Sequence, residues 1–248
     1  MDNGGAFTDR LFAQAAIAPG AHALDIGCGP GDVTFRLSRA VGPQGRVIGL
    51  DLNAAALERA RSRAVDSSFT NTAFVEQDLF DFAKDCPKFD VVTCRRVLMY
   101  LPDQAKAAET FFNLLKPSGI LIVQEHDTTM RHPAGDRPLA DQAQRWIWDT
   151  VRSEGANLGT GFDLHSLLAK TGFSNIRVIA EAVVETPDQA AETVEIVRVM
   201  LPRIEAAGIA TANEIDIETL GDRMLSERSK SETTSITEMV FGAIARVS

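Results

Sequence analysis

From Ala21 to about Ile179, short apolar runs alternate with longer amphipathic stretches, and this alternation predicts βαβ units feeding a parallel sheet. The runs are AHALDIG, RVIGLDL, TAFVEQD, FDVVTCR and GILIVQEH, each apolar nearly throughout, as strands covered on both faces must be. Helices are expected between them at about 32–41, 54–65 and 103–115, the last following Pro102 and stopping at KPSG. A weaker helical stretch runs from Pro138 to Glu154, and a further helix at about 163–171 closes on Gly172 before a sixth apolar run, NIRVIAEAVVE. After Pro187 the period changes. AAETVEIVRVMLPRIEAAG and IDIETLGDRMLSER both read as helices, the first bent or broken near Pro202, and the tail TSITEMVFGAIARV alternates like a strand. Right-handed crossovers order these elements into an α/β fold: a doubly wound, mostly parallel, seven-stranded sheet with an antiparallel last strand and a helical insertion before it.

On this reading residues 1–248 form a single domain, and 187–231 is an insertion whose apolar positions, Val194, Val197, Met200 and Leu201 among them, must bury against something; core packing accounts for most of them, while Met200 and Met224 suit the wall of a lid over a bound acceptor. A helical pair packed far from any ligand, or a homodimer contact, is the alternative.

Composition narrows the function classes. Apolar residues make up 45% of the chain and charged residues 24%, and no stretch approaches the length of a membrane span, so a soluble protein with no membrane partner is expected. The opening MDNGGAFTDRLF lacks the basic and apolar regions of a secretory signal, which leads to a cytoplasmic expectation. The three cysteines, Cys28, Cys86 and Cys94, form no CxxC pair, which suits small buried side chains in a reducing compartment and no structural metal. A net charge of −9 repels phosphate polymers, and the short Arg61/Arg63 and Arg95/Arg96 pairs cannot track a backbone, so no nucleic-acid partner is expected.

The sharpest local signal is ALDIGCGPGD, a strand ending in Gly27, Gly29 and Gly31 that runs straight into a helix. Glycine there lets the backbone turn tightly and lets a ligand approach main-chain N–H groups. The spacing is GxGxG, with Asp32 where the dinucleotide fingerprint requires glycine, which disfavours NAD and FAD; the GK[ST] ending of a P-loop is absent too. Asp51 ends the second strand, where a carboxylate accepts hydrogen bonds from ribose hydroxyls, and Asp78 follows the third, where one accepts from the exocyclic amine of adenine. Either aspartate alone would also serve as a helix N-cap.

Taken in order, ALDIGCGPGD, VIGLDLN, FVEQDLFDF, FDVVTCRRVLMYLPD and LLKPSGILIVQE resemble the successive motifs of class I S-adenosylmethionine-dependent methyltransferases over about residues 21–125, with weaker similarity through NLGTGFDLHSLLAKTGF. The resemblance implies S-adenosylmethionine as cofactor. It implies that Asp25, Gly27, Cys28 and Gly29 wrap the methionine part, that Asp51 and Leu52 meet the ribose and adenine, that Asp78 and Leu79 recognise the adenine, and that Arg95 lies beside the aminocarboxypropyl group. Family members that methylate nucleic-acid amines resemble [DNS]-PP-[YF] after the fourth strand, where this chain reads CRRVLMY.

A methyl sulfonium is already a good electrophile, so the protein's task is to hold an acceptor in line behind the methyl carbon. The expected acceptor is a small molecule receiving the methyl on an O or N atom; a protein acceptor, or a chain that binds S-adenosylmethionine without methylating, are the alternatives, with a nicotinamide or flavin oxidoreductase behind them. Candidate acceptor contacts come from strand ends. Arg96 and Tyr100 follow the fourth strand, and Glu125, His126 and Asp127 follow the fifth. His126 titrates nearest neutrality and is the candidate base, against the plainer reading of a solvated or core-bonded histidine. Trp146 and Trp148 are i, i+2, on different helix faces, so at most one walls an aromatic pocket, and Trp146 is the candidate. No metal is expected, since His126, Asp127 and His132 lack a ligand pattern.

Overall fold

A computed structural model describes residues 3–188 and 193–248. In chain order the elements are α1 (Asn3–Ala15), β1 (His22–Ile26), α2 (Asp32–Val41), β2 (Arg46–Asp51), α3 (Ala54–Asp66), β3 (Thr72–Glu76), α4 (Leu79–Asp85), β4 (Phe89–Arg95), α5 (Gln104–Leu114) and β5 (Leu115–Asp127). They continue with α6 (Pro138–Ser153), α7 (Thr160–Thr171), β6 (Ser174–Glu185), α8 (Thr193–Ala206), α9 (Ala212–Ile215), α10 (Ile217–Arg228) and β7 (Ser235–Arg246). These residues form two compact units, the first made of 1–125, 160–180 and 240–248, the second of 126–159 and 181–239.

All seven expected strands form, and they join one sheet in the order β3-β2-β1-β4-β5-β7-β6, with β7 antiparallel to its neighbours and the rest doubly wound as the crossover rule requires. Parallel register fixes the site. Ile26 pairs with Leu50 on one side and Cys94 on the other, and Asp51 pairs with Glu76, so the C-terminal ends of β1, β2, β3 and β4 lie side by side. The strand centres are apolar and dry, with Leu24, Leu50, Val92, Leu121 and Val123 all buried. Each such side chain stabilises the fold by roughly 1.5–3 kcal/mol relative to exposure.

Two helices of the first unit have no counterpart in the strand-and-helix alternation. In α1, Phe7, Leu11, Phe12 and Ala15 share one buried face, and Gly242 of β7 lets it approach closely: a Cβ there would lie 2.6 Å from Leu11 Cδ2. In α4 only seven residues are helical, too few to show a period. KPSG does not stop the chain as a turn after α5. It lies inside β5, which starts at Leu115, where the β4/β5 register shifts between Phe89 and Val91 and Ser118 takes φ 61°.

In the second unit, α8 is continuous through Pro202 rather than broken there: one missing N–H removes a single rung, and the flanking bonds hold the helix. The first three residues expected in this helix, 190–192, lie outside the described residues. Arg203 of α8 grips Glu154 after α6 through two parallel bonds of 2.8 and 2.5 Å, and Gln144 of α6 donates to the Thr193 hydroxyl at 3.1 Å. Among the described residues no helix is long and apolar enough to cross a membrane.

Candidate functional site

The glycine loop is shaped from below. Gly27, Gly29 and Gly31 have φ of 66°, 52° and 91°, a left-handed series that only glycine adopts without strain. Close approach is an independent demand at two of them: a Cβ on Gly27 would lie 2.1 Å from Val97 Cγ2, and one on Gly31 would lie 2.8 Å from the Phe35 ring. Gly29 differs, since its Cβ would meet nothing within 4 Å, so its backbone faces open space. The Gly27 and Cys28 amides donate to Leu50 O at 2.7 and 3.0 Å, which ties the loop to the end of β2. The Cys28 side chain is buried, with Gly49 of β2 leaving room for its sulfur, so what Cys28 offers at the loop surface is main chain. Burial pushes its thiol far above the usual range.

Asp51 closes the loop from the side. Its Oδ2 accepts from the Gly29 amide at 2.7 Å and its Oδ1 from the Asn53 amide at 2.8 Å, while Asn53, not Asp51, caps α3. The carboxylate stays partly exposed with lone pairs left for further donors. Next to it Leu52 is 68% exposed, an apolar surface presented beside a carboxylate. Asp78 caps α4, its Oδ1 accepting from the Phe80 and Asp81 amides at 2.8 and 3.3 Å, and Leu79 turns into the core. The capping role left open in the sequence is thus present, and the partly exposed carboxylate keeps a second oxygen.

Asp25 lies beneath the loop. It is buried, and it accepts from Thr34 Oγ1 at 2.6 Å and from Thr93 Oγ1 at 2.9 Å, so it braces α2 and β4 against β1. Burial raises its pKa to about 6, against the two hydroxyl donors and the nearby Arg95 charge, which lower it. Arg95 itself reaches the Thr8 hydroxyl of α1 at 3.4 Å, and Thr8 in turn donates to Gln124 at 2.7 Å.

After β4 the chain makes a short 3-10 turn, Leu98–Tyr100, entered through Arg96 at φ 58°. Glu125 builds this turn: its Oε1 accepts from the Val97 and Leu98 amides at 3.2 and 2.8 Å, and Gln104 donates to Leu98 O at 3.1 Å. Glu125 is fully buried, with its Oε2 unpartnered, and burial raises its pKa to about 8 despite those backbone donors. A neutral carboxylic acid is therefore what sits there at neutral pH. Arg96 and Tyr100 end up at the surface of this turn, Tyr100 44% exposed.

In the second unit, His126 is buried with its Nδ1 2.5 Å from Glu238. Asp127 is buried as well, taking the Thr129 amide at 2.9 Å and hydroxyl at 2.5 Å on Oδ1. Trp146 is buried in α6, and Trp148, partly exposed, donates to Gln144 at 3.2 Å. Among the described residues no group of three or more His, Cys, Asp or Glu could hold a metal ion. Sequence reasoning missed Val97 under Gly27, the Thr34/Thr93 clamp on Asp25 and the turn-building role of Glu125; only the glycine at position 27 signals the first, and nothing local signals the others.

A methyltransferase-domain family profile matches residues 17–172 of the chain, the stretch that holds every element of this loop system. The chain belongs to the class I S-adenosylmethionine-dependent methyltransferases. The chain is 37% identical over 106 residues to a demethylmenaquinone methyltransferase of Lactococcus lactis, a match covering 43% of this chain and 42% of that protein. It is 31% identical over 179 residues to the ubiquinone/menaquinone biosynthesis C-methyltransferase UbiE of Vibrio campbellii, covering 69% of this chain and 61% of the relative. The chain spans about half the length of the curated relatives it matches.

Among solved structures, a Haemonchus contortus phosphoethanolamine N-methyltransferase in complex with phosphomonomethylethanolamine and S-adenosylhomocysteine superposes with a TM-score of 0.61 at 18% identity, over 97% of this chain and 52% of that one. The [4+2]-cyclase SpnF superposes with a TM-score of 0.60 at 18% identity, over 98% and 81%. Likeness at this identity is likeness of fold, and the two names show that one fold carries different reactions. The family's cofactor is S-adenosylmethionine. The chain's own residues fit it: main chain facing open space at Gly29, whose amide is given to Asp51, a partly exposed carboxylate at Asp51 and exposed apolar surface at Leu52 supply room for a ligand against the loop, an acceptor for hydroxyls and a surface for a flat ring.

Proposed function

We propose that this methyltransferase carries the methyl group of S-adenosylmethionine to a small-molecule acceptor. The observation that carries the reading is the Gly29–Asp51 bond with Leu52 exposed beside it, an arrangement in which a carboxylate both fixes the loop and keeps acceptor capacity for a ribose. In this proposal Gly27, Cys28 and Gly29 hold the methionine part by main chain, with Asp25 bracing them from beneath. Asp51 and Leu52 hold ribose and adenine, Asp78 and the main chain at Leu79 border the adenine, and Arg95 lies toward the aminocarboxypropyl group. The cofactor supplies an electrophilic methyl carbon when bound; the protein's work is to orient the acceptor and keep water out.

The O or N acceptor atom expected from the sequence is one reading. A carbon atom is the second, favoured by the C-methyltransferase named among the relatives. Methylation at carbon replaces a C–H by a C–C bond and releases that proton, so this reading calls for a base, and His126 is the proposed one. Its Nδ1 stands 2.5 Å from Glu238, a contact that orients the ring. Arg96 and Tyr100, exposed on the turn after β4, are proposed to touch the acceptor.

Incubating the protein with methyl-labelled S-adenosylmethionine and size-fractionated cell extract tests the acceptor class. Label is expected in the low-molecular-weight fraction. Label confined to the protein fraction, or cofactor bound without any transfer, overturns the small-molecule reading.

A further inference from the structure

At the end of β4 a cation is held by a helix from the far end of the sequence. Arg95 follows the buried Cys94, whose strand partner Ile26 is the last residue of β1, so the arginine leaves the sheet beside the glycine loop. Its side chain is half-buried, and its charge reaches Asp25 beneath the loop, where it opposes the rise in pKa that burial causes.

An arginine at a strand end has many rotamers open to it, and a fixed acceptor is what reduces them. Thr8 of α1 is such an acceptor. Arg95 Nη1 donates to Thr8 Oγ1 at 3.4 Å, and Thr8 Oγ1 donates to Gln124 Oε1 of β5 at 2.7 Å. A hydroxyl has one proton and two lone pairs, so a threonine that gives its proton to Gln124 turns acceptor capacity toward the guanidinium. At 3.4 Å the contact is long for a hydrogen bond, so it limits where the guanidinium can swing without consuming its capacity for a stronger acceptor.

The supports of this chain of bonds are rigid. Thr8 and Gln124 are buried, and α1 is pinned by Phe7 and Leu11 against Gly242 of β7, by the Asp9–Arg36 ion pair to α2, and by Arg246, which donates to Ala15 O at 3.2 Å. Gln124 is the informative member. Its Nε2 is buried with no partner, so an apolar side chain of the same size would suit that place in β5 better; what the amide contributes is the oxygen that orients Thr8.

We propose that Thr8 and Gln124 are positioning residues for the cofactor: they aim Arg95 at the carboxylate of the aminocarboxypropyl group, so that preference for a ligand with an intact amino-acid end is set by α1. The proposal rests on the cofactor reading above and on residues of the first unit alone.

S-adenosylhomocysteine and 5′-methylthioadenosine share adenine, ribose and a thioether, and the second has a methyl group where the first has its amino-acid chain. Calorimetry of both ligands with the full chain therefore isolates the carboxylate end. Thr8→Val, which loses the hydroxyl and keeps the branched shape, should weaken S-adenosylhomocysteine by about three- to tenfold and 5′-methylthioadenosine by less than about twofold. Thr8→Ser should restore the wild-type preference. Arg95→Gln should produce the same selective loss at about ten- to a hundredfold, and adding Thr8→Val to it should cost S-adenosylhomocysteine nothing more, because the two act through one contact. Thr8→Val combined with Gln124→Met removes both buried partners together, leaves no polar group stranded in the core, and should show the selective loss in a well-folded chain. The positioning role is overturned if these variants weaken both ligands equally, if S-adenosylhomocysteine binding is unchanged, or if Thr8→Ser fails to restore it. A wild-type chain that binds neither ligand overturns the cofactor reading itself, and this proposal with it.

Discussion

Two pairs of carboxylates occupy equivalent places, at or just beyond the C-terminal ends of strands, and do different things. Asp51 and Asp78 each take an N–H group of the turn that follows them, Asp51 also taking the Gly29 amide of the loop after β1, and both stay partly exposed. Glu125 and Asp127 also take donors of a nearby turn, yet both are fully buried, each with its second oxygen unpartnered. The local bonding rule is the same; what separates them is water. A partly hydrated carboxylate can exchange water for a ligand hydroxyl at little cost, whereas the buried pair has no water to exchange and acts on backbone shape, and burial drives Glu125 toward its neutral acid. Strand-end position alone therefore does not distinguish a ligand contact from a scaffold contact.

The comparison breaks most readily at the loop that the exposed pair serves. Gly27→Ala puts a Cβ 2.1 Å from Val97 at a φ of 66°, and overpacking with left-handed strain is worth about 3 kcal/mol, roughly a hundredfold in binding. Calorimetry should show cofactor binding lost by at least that factor; near-wild-type affinity would mean that the loop geometry is not what binds.

A second expectation concerns the buried pair. The Glu125 pKa of about 8 in the folded chain stands above its ordinary value of 4.5, so the folded state binds the extra proton between those limits. Stability is then greatest at the acid end of that window and falls as pH rises through it, by at most about 1.4 kcal/mol per pH unit, levelling off above pH 8. Asp25, raised to about 6, adds the same sign lower down, so Glu125→Gln should abolish the slope between pH 6 and 8 and leave the part below. Urea unfolding of both proteins across that range checks it, and an unchanged slope in Glu125→Gln contradicts a proton held there.

The smallest effect sharpens the exposed pair. Asp78→Ala should cost about 1 kcal/mol of stability through the lost α4 cap, while Asp78→Ser keeps the cap. If cofactor affinity falls in both variants, Asp78 touches the nucleoside; if it falls in neither, capping is its whole role.

How much of this could be read from the chain depends on the range of the interactions. The strands were legible because each is an apolar run covered on both faces, and the glycine loop because its three left-handed positions are consecutive odd residues. Asp51 was legible as a strand end. The bracing of Asp25 was not, since Thr34 and Thr93 lie 9 and 68 residues away and neither hydroxyl is marked by any local pattern. Glu125 and its turn are separated by 27 residues in the same way. Helix α1 escaped because its apolar positions follow a polar, glycine-containing start, and α8 was expected to bend or break near Pro202, where a proline is a strong local signal; of these, the break does not occur.

Calorimetric titration of S-adenosylmethionine and of NAD into the purified chain, and of S-adenosylmethionine into Asp51→Ala, tests most directly that the loop between β1 and α2 together with Asp51 forms the cofactor site. Saturable heat is expected for S-adenosylmethionine and none for NAD. Loss of the Asp51 acceptor should weaken binding by about 1.5–3 kcal/mol, roughly ten- to a hundredfold, with the circular dichroism of the variant unchanged. Saturation by NAD, or a folded Asp51→Ala that binds S-adenosylmethionine as tightly as the wild type, would contradict the account.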